Sequence, residues 1–161
     1  MISAALAATA VGSAQATERT KTVDIAGVKS YSEFGESINT VIELNLGAGA
    51  TITNFNFDVN LSTYGESWLS EMAIYFTNSQ LNEGVIFNPA FGFDGPGTVS
   101  IAENHDLVAE GLSFNVGSDG VLRLEFAEDF DDRGVSPDAI WNFGTVTFGY
   151  DDHLIAAARP N

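Results

Sequence analysis

Every second residue of TNFNFDVNLS, residues 53–62, is apolar: Phe55, Phe57, Val59 and Leu61 alternate with Asn54, Asn56, Asp58 and Asn60. Successive side chains on an extended strand point to opposite faces, so this spacing predicts a strand with one face on a core and one toward water. The same period recurs in TVIELNL (Ile42, Leu44, Leu46), in MAIYF (Met72, Ile74, Phe76) and in GTVTFGY (Val146, Phe148, Tyr150). LSFNVGSDGVLRLEF, residues 112–126, reads as a hairpin. Leu112, Phe114 and Val116 lead to a turn over Gly117–Gly120, and Leu122, Leu124 and Phe126 lead away from it, with Arg123 and Glu125 facing water. Half-buried alternating strands belong to antiparallel sheets packed on one core. The predicted fold is therefore all-β, an antiparallel two-sheet β-sandwich of jelly-roll type. No long helical period interrupts it, although ENHDLVAEG, residues 103–111, suits one helical turn.

At 161 residues the chain is one domain long enough to bury a core. The predicted division is a small-residue segment over 1–16, a sandwich over 17–152 and a tail over 153–161. The first segment ends in Ala14-Gln15-Ala16, a signal-peptidase pattern, and it reads as a leader of an exported protein or as an N-terminal arm. TERTKTVDIAGV then forms a polar arm that could pair in its own sheet or with the sheet edge of a neighbouring copy, the second choice building a fibre.

Charge narrows the partners. The formal net charge is −16, and no Lys or Arg lies between Lys29 and Arg123. Such a surface repels phosphate backbones and anionic headgroups, which argues against nucleic acid and against membrane binding; it suits cations or, equally, a salt-rich medium that screens its self-repulsion. With no cysteine, thiolate metal sites, disulfides and cysteine nucleophiles are excluded together. His105 and His153 are the only histidines; neither belongs to an HExxH motif and no GxSxG is present, so no catalytic residues are assigned.

Two stretches carry candidate sites. FAEDFDDRGVSPD, residues 126–138, holds five carboxylates and one arginine in thirteen residues. It fails the EF-hand template, because Arg133 and Ile140 occupy positions that need oxygen ligands. Its crowded acids still suit an irregular Ca2+ site drawn from Asp129, Asp131, Asp132 and Asp138, with Glu71 added from a neighbouring turn. A solvated loop with Arg133 as its counterion is the competing reading. STYGESWLSEM, residues 62–72, places Tyr64, Glu66 and Trp68 at the end of a strand, as an aromatic ring beside carboxylates would be placed to stack on a sugar. Here the competing reading has Trp68 and Leu69 plugging the end of the core.

TYGESWLSEM and GVLRLEFAEDFDD with PDAIWNFGTVTF resemble stretches of a β-sandwich domain found in exported bacterial proteins, some of which bear a PEP-CTERM sorting tail. The arrangement is also similar to the P-domain of proprotein convertases. The resemblance implies a secreted, non-catalytic domain at a surface or in a matrix. Taken together, the expectation is an exported structural or adhesive protein, with carbohydrate binding and self-assembly as the alternatives.

Overall fold

A computed structural model describes residues 17–152. The segments expected as leader and tail lie outside the described residues. Ten strands follow in order: β1 (Thr17–Asp24), β2 (Val28–Ser30), β3 (Thr40–Asn45), β4 (Thr51–Thr63), β5 (Met72–Asn78), β6 (Gly84–Phe87), β7 (Thr98–Asp106), β8 (Phe114–Asn115), β9 (Val121–Glu128) and β10 (Ala139–Asp152). A single 3₁₀ turn, Leu69–Glu71, precedes β5. One sheet has the order β1-β10-β4-β7, with β2 also on β10 and β8 also on β4, and the other has the order β3-β9-β5-β6.

The pairings are nested. β1 pairs with β10, β3 with β9, β4 with β7 and β5 with β6, all antiparallel. The chain is thus one long ribbon, folded back at the β5–β6 turn and rolled so that its pairs fall alternately into two sheets. That is a jelly roll, the expected class. No helix of the described residues is long and apolar enough to cross a membrane.

The alternation predicted for β4 holds: Phe55, Phe57, Val59 and Leu61 are all buried. Phe55 is the hub of the core, with the rings of Phe57, Phe76, Phe87 and Phe148 at 5.6, 4.8, 5.1 and 5.1 Å. Toward one end of the sandwich the core closes with Phe126 packed edge-on to Trp141 at 5.1 Å. The polar face of β4 is also organised: Asn142 donates to Asn60 and Ser62, and Asn60 donates to Ser100.

Three expectations are corrected or completed by the structure. The hairpin over 112–126 does not form, since β8 pairs with β4 in one sheet whereas β9 pairs with β3 and β5 in the other. Its Asp119-Gly120 turn is present, but it packs on the β3–β4 loop: Leu46 N–H donates to Gly120 O, and Gly49 N–H to Gly117 O. Gly120 has φ +71, and a Cβ there would lie 2.4 Å from the Gly47 carbonyl carbon. Non-local packing decides what the turn connects.

Glu125 does not face water. The loop 31–39 folds across the outer face of the second sheet, where Phe34 stacks on Tyr75 at 4.3 Å. Gly35 N–H and Asn39 Nδ2 donate to Glu125 Oε1, and Oε2 lies 2.7 Å from the Arg123 guanidinium, so the carboxylate is buried beside a countercharge. Finally, the arm Thr17–Asp24 pairs along its whole length with β10 of its own chain, and Arg19 meets Asp152 at 2.5 Å.

Candidate functional site

Strand directions place four loops, 31–39, 64–71, 88–97 and 129–138, at one end of the sandwich. Both predicted site stretches lie there. The loops are bolted together through the backbone. Tyr64 N–H donates to Asp138 O, Asp138 N–H to Ser30 O, Asp129 N–H to Glu71 O and Glu128 N–H to Ser32 O. Leu69 and Ser70 N–H donate to Gly95 O and Phe93 O, which fixes loop 88–97 beside them.

The carboxylates predicted as metal ligands divide into two groups. Asp129 and Asp131 are exposed and engaged outward, Asp129 accepting from Asn88 at 2.7 Å and Asp131 from Ser32 at 3.0 Å. Asp131 also lines a surface cleft of about 700 Å³ with Phe130, Arg133 and Glu36. Asp138 is fully buried, and Asp132 and Glu71 are half-buried. Asp132 accepts from Ser67 Oγ at 2.5 Å, Asp138 Oδ2 accepts from Asp132 N–H at 3.0 Å, and Glu71 accepts from Trp68 N–H at 3.1 Å. As these side chains stand, no group of three or more acidic or histidine residues among the described residues is arranged to hold a metal ion.

The structure adds a residue that the loop reading missed. Glu128 is the last residue of β9 and is fully buried. Alternation explains why. Leu122, Leu124 and Phe126 face the core, so the next even position does too, and it carries a carboxylate. Carrying the predicted β9 alternation one step further would have found it. Glu128 Oε1 accepts from Ser30 Oγ, whereas Glu128 Oε2 and Asp138 Oδ1 are buried without a hydrogen-bond partner.

This arrangement disfavours ionisation. Burial pushes the Glu128 carboxyl up to about 8, and the charges of Asp138, Glu71 and Asp129 add to it against the Ser30 hydrogen bond. Burial likewise raises Glu71, where Asp132, Asp138 and Asp129 contribute and the Trp68 hydrogen bond opposes. Asp138 is raised by burial first, then by Asp131 and Asp132, against the hydrogen bond from Asp132 N–H and the nearby Ser67 hydroxyl. Arg133 is exposed and forms no ion pair with these acids among the described residues. The counterion assigned to it in the solvated-loop reading is not in place.

The aromatic candidates sit on the same end. Tyr64 is 41% and Trp68 45% exposed, and Glu66 between them is exposed as well. Trp68 therefore does not plug the core; Leu69 does, being buried beside it. Of the six exposed aromatic residues described, Tyr64, Trp68, Phe91, Phe93 and Phe130 lie on these loops, and Phe143 alone lies on a strand. Only the first two were legible in STYGESWLSEM. The other three stand in loop stretches that gave no periodic signal.

No protein-family model matches the chain, and no curated protein matches it. Among solved structures it is similar to the VP2 subviral particle of infectious bursal disease virus, with 10% identity and a TM-score of 0.35. That match covers 92% of this chain and 37% of the other, so this chain spans little more than a third of that length. It is also similar to tomato aspermy virus, with 9% identity and a TM-score of 0.29, over 94% of this chain and 87% of the other.

Proposed function

We propose that the protein is a non-catalytic adhesive module that acts outside the cytoplasm and binds carbohydrate through the 64–71 loop. The observation that carries this reading is how Trp68 is presented. Exposure alternates along the loop: Glu66 and Trp68 are exposed, while Ser67 and Leu69 are buried. Ser67 is held by Asp132, and its N–H donates to Tyr64 O at 3.1 Å; Leu69 N–H is held by Gly95 O at 2.9 Å. The backbone that carries the indole is thus fixed on both sides while the ring is open to solvent, which lowers the ordering cost of a ligand stacked on it. An exposed aromatic ring suits the apolar face of a pyranose, and Glu66 and the Tyr64 hydroxyl suit its hydroxyl groups.

His105, the one histidine among the described residues, lies outside the candidate loops and is given no catalytic role in this reading. Both its ring nitrogens are engaged, by Glu103 at 3.0 Å and Glu110 at 3.1 Å, on a strand edge away from these loops. The exported setting is the one that the sequence resemblance and the Ala14-Gln15-Ala16 pattern favour.

A glycan array followed by calorimetry on the hits tests the reading, with Trp68→Ala as the comparison. Wild type should bind at least one glycan class. The variant should lose roughly tenfold or more in affinity, the scale of a lost aromatic anchor, with an unchanged melting temperature because the ring is not part of the core. Absence of any hit at millimolar sugar, or equal binding by Trp68→Ala, would overturn it.

A further inference from the structure

We infer that Glu128 and Asp138, joined by Glu71 and Asp132, form a site for one calcium ion that ties loops 64–71 and 129–138 to the end of the core. The inference rests on buried oxygens and not on exposed rings, although it shares with the carbohydrate reading the Asp132–Ser67 contact at the base of the 64–71 loop.

Two fully buried carboxylates each leave one oxygen without a partner, Glu128 Oε2 and Asp138 Oδ1. The two residues are tied at Ser30, whose hydroxyl donates to Glu128 Oε1 and whose carbonyl accepts from Asp138 N–H, and the Asp138 charge bears on the Glu128 carboxyl. The Glu71 charge bears on Glu128, those of Asp132 and Asp138 bear on Glu71, and Asp132 N–H donates to Asp138 Oδ2. No lysine or arginine pairs with any of the four among the described residues. Taking a carboxylate out of water without a countercharge is strongly unfavourable, and two together are worse. A doubly charged ion reverses the sign of that interaction.

The donor set selects the ion. It is all oxygen, with no sulfur and no histidine, which suits hard cations. Four carboxylates, each able to bind through one or both oxygens, match the irregular six to eight ligands of calcium better than the strict octahedron of magnesium. The side chains must close by a rotation: Asp132 leaves Ser67, and Glu71 leaves the Trp68 N–H. Both are half-buried, Asp132 on a loop and Glu71 at the end of the 3₁₀ turn, whereas Glu128 ends β9 and Asp138 immediately precedes β10. The two outer candidates, Asp129 and Asp131, remain with Asn88 and Ser32 and are not ligands.

Calcium titration of the EDTA-treated full chain tests the assignment, read by calorimetry and by thermal melts, with magnesium as the comparison ion. No sugar is present, so the result does not depend on the carbohydrate reading. Wild type should bind one calcium per chain, with Kd in the millimolar range of extracellular modules or tighter, and melt several degrees higher in saturating calcium. Glu128→Gln and Asp138→Asn should each weaken binding at least about tenfold. Asp129→Asn should bind as wild type does. Cooperative melts in EDTA establish that each variant is folded. Identical wild-type melts in calcium and EDTA, with no heat of binding, would overturn the site. So would wild-type affinity in both Glu128→Gln and Asp138→Asn, since the ion would then sit elsewhere.

Discussion

The two ends of the sandwich spend the same residue types in opposite ways. At the end formed by loops 46–50, 79–83, 107–113 and 116–120, acids and amides serve the backbone. Asp119 accepts from Val121 N–H, Asp106 from Val108 and Ala109 N–H, Asn45 from Gly47 N–H, and Asn78 from Asn82 and Glu83 N–H. Asp119 also accepts from Ser79, and these hydrogen bonds hold its carboxyl below the usual range. At the other end Glu71, Glu128 and Asp138 are all raised, with burial as the leading cause. An acid that caps a turn is ionised in comfort, while an acid facing a core without a partner is held at a cost. Position relative to the core, and not acid density, separates a turn from a candidate site.

The largest effect expected from this contrast comes from the tightly packed end. Gly120→Ala forces a side chain at φ +71 into the Gly47 backbone at 2.4 Å. A rigid backbone cannot yield as a side-chain tip would, so the variant should lose about 3 kcal/mol or more, as denaturant melts would show.

Next in size is the pH dependence of the metal-free protein. Glu128 has its carboxyl at about 8 when folded, against 4.5 as its ordinary value. Between those limits the folded state holds the extra proton, so this contribution is fully present below about 4.5 and is lost as pH rises through about 8. Melting temperature in EDTA should therefore fall by several degrees from pH 5 to pH 8. Glu128→Gln, which cannot ionise and keeps an oxygen for Ser30, should flatten that slope and raise stability at pH 8. A wild-type slope unchanged in the variant would assign the effect to general charge repulsion instead. The smallest effect belongs to Gly134→Ala in the acidic loop. A Cβ there meets nothing within 4 Å, so only the strain of φ +87 remains, about 1 kcal/mol.

How much of this was legible in the sequence follows the range of the forces involved. The core face of β4 was readable from Phe55 to Leu61 because period two is a local signal. Glu128 was equally readable in principle, since the alternation of β9 runs straight through it. It was obscured because residues 126–138 look like a loop by composition. The false hairpin over 112–126 had correct turn chemistry, but Asp119-Gly120 serves any tight turn, and the Gly47 backbone some seventy residues earlier decides which strands it joins. Glu125 was unreadable for the same reason: the loop that covers it lies about ninety residues away. The exposure of Trp68 was not readable either, because only the Asp132 and Gly95 contacts of its neighbours decide which way the loop faces.

Hydrogen bonds hold the Asp119 carboxyl below its usual range at one end of the sandwich, while burial holds those of Glu128, Glu71 and Asp138 above theirs at the other. Carboxyl-carbon NMR titration of the metal-free protein, following Glu128 and Asp119 together, tests this contrast most directly. Glu128 should titrate at about 8 and Asp119 below its ordinary 3.8. Both groups titrating at ordinary carboxylate values, with Glu128 near 4.5, would contradict the account.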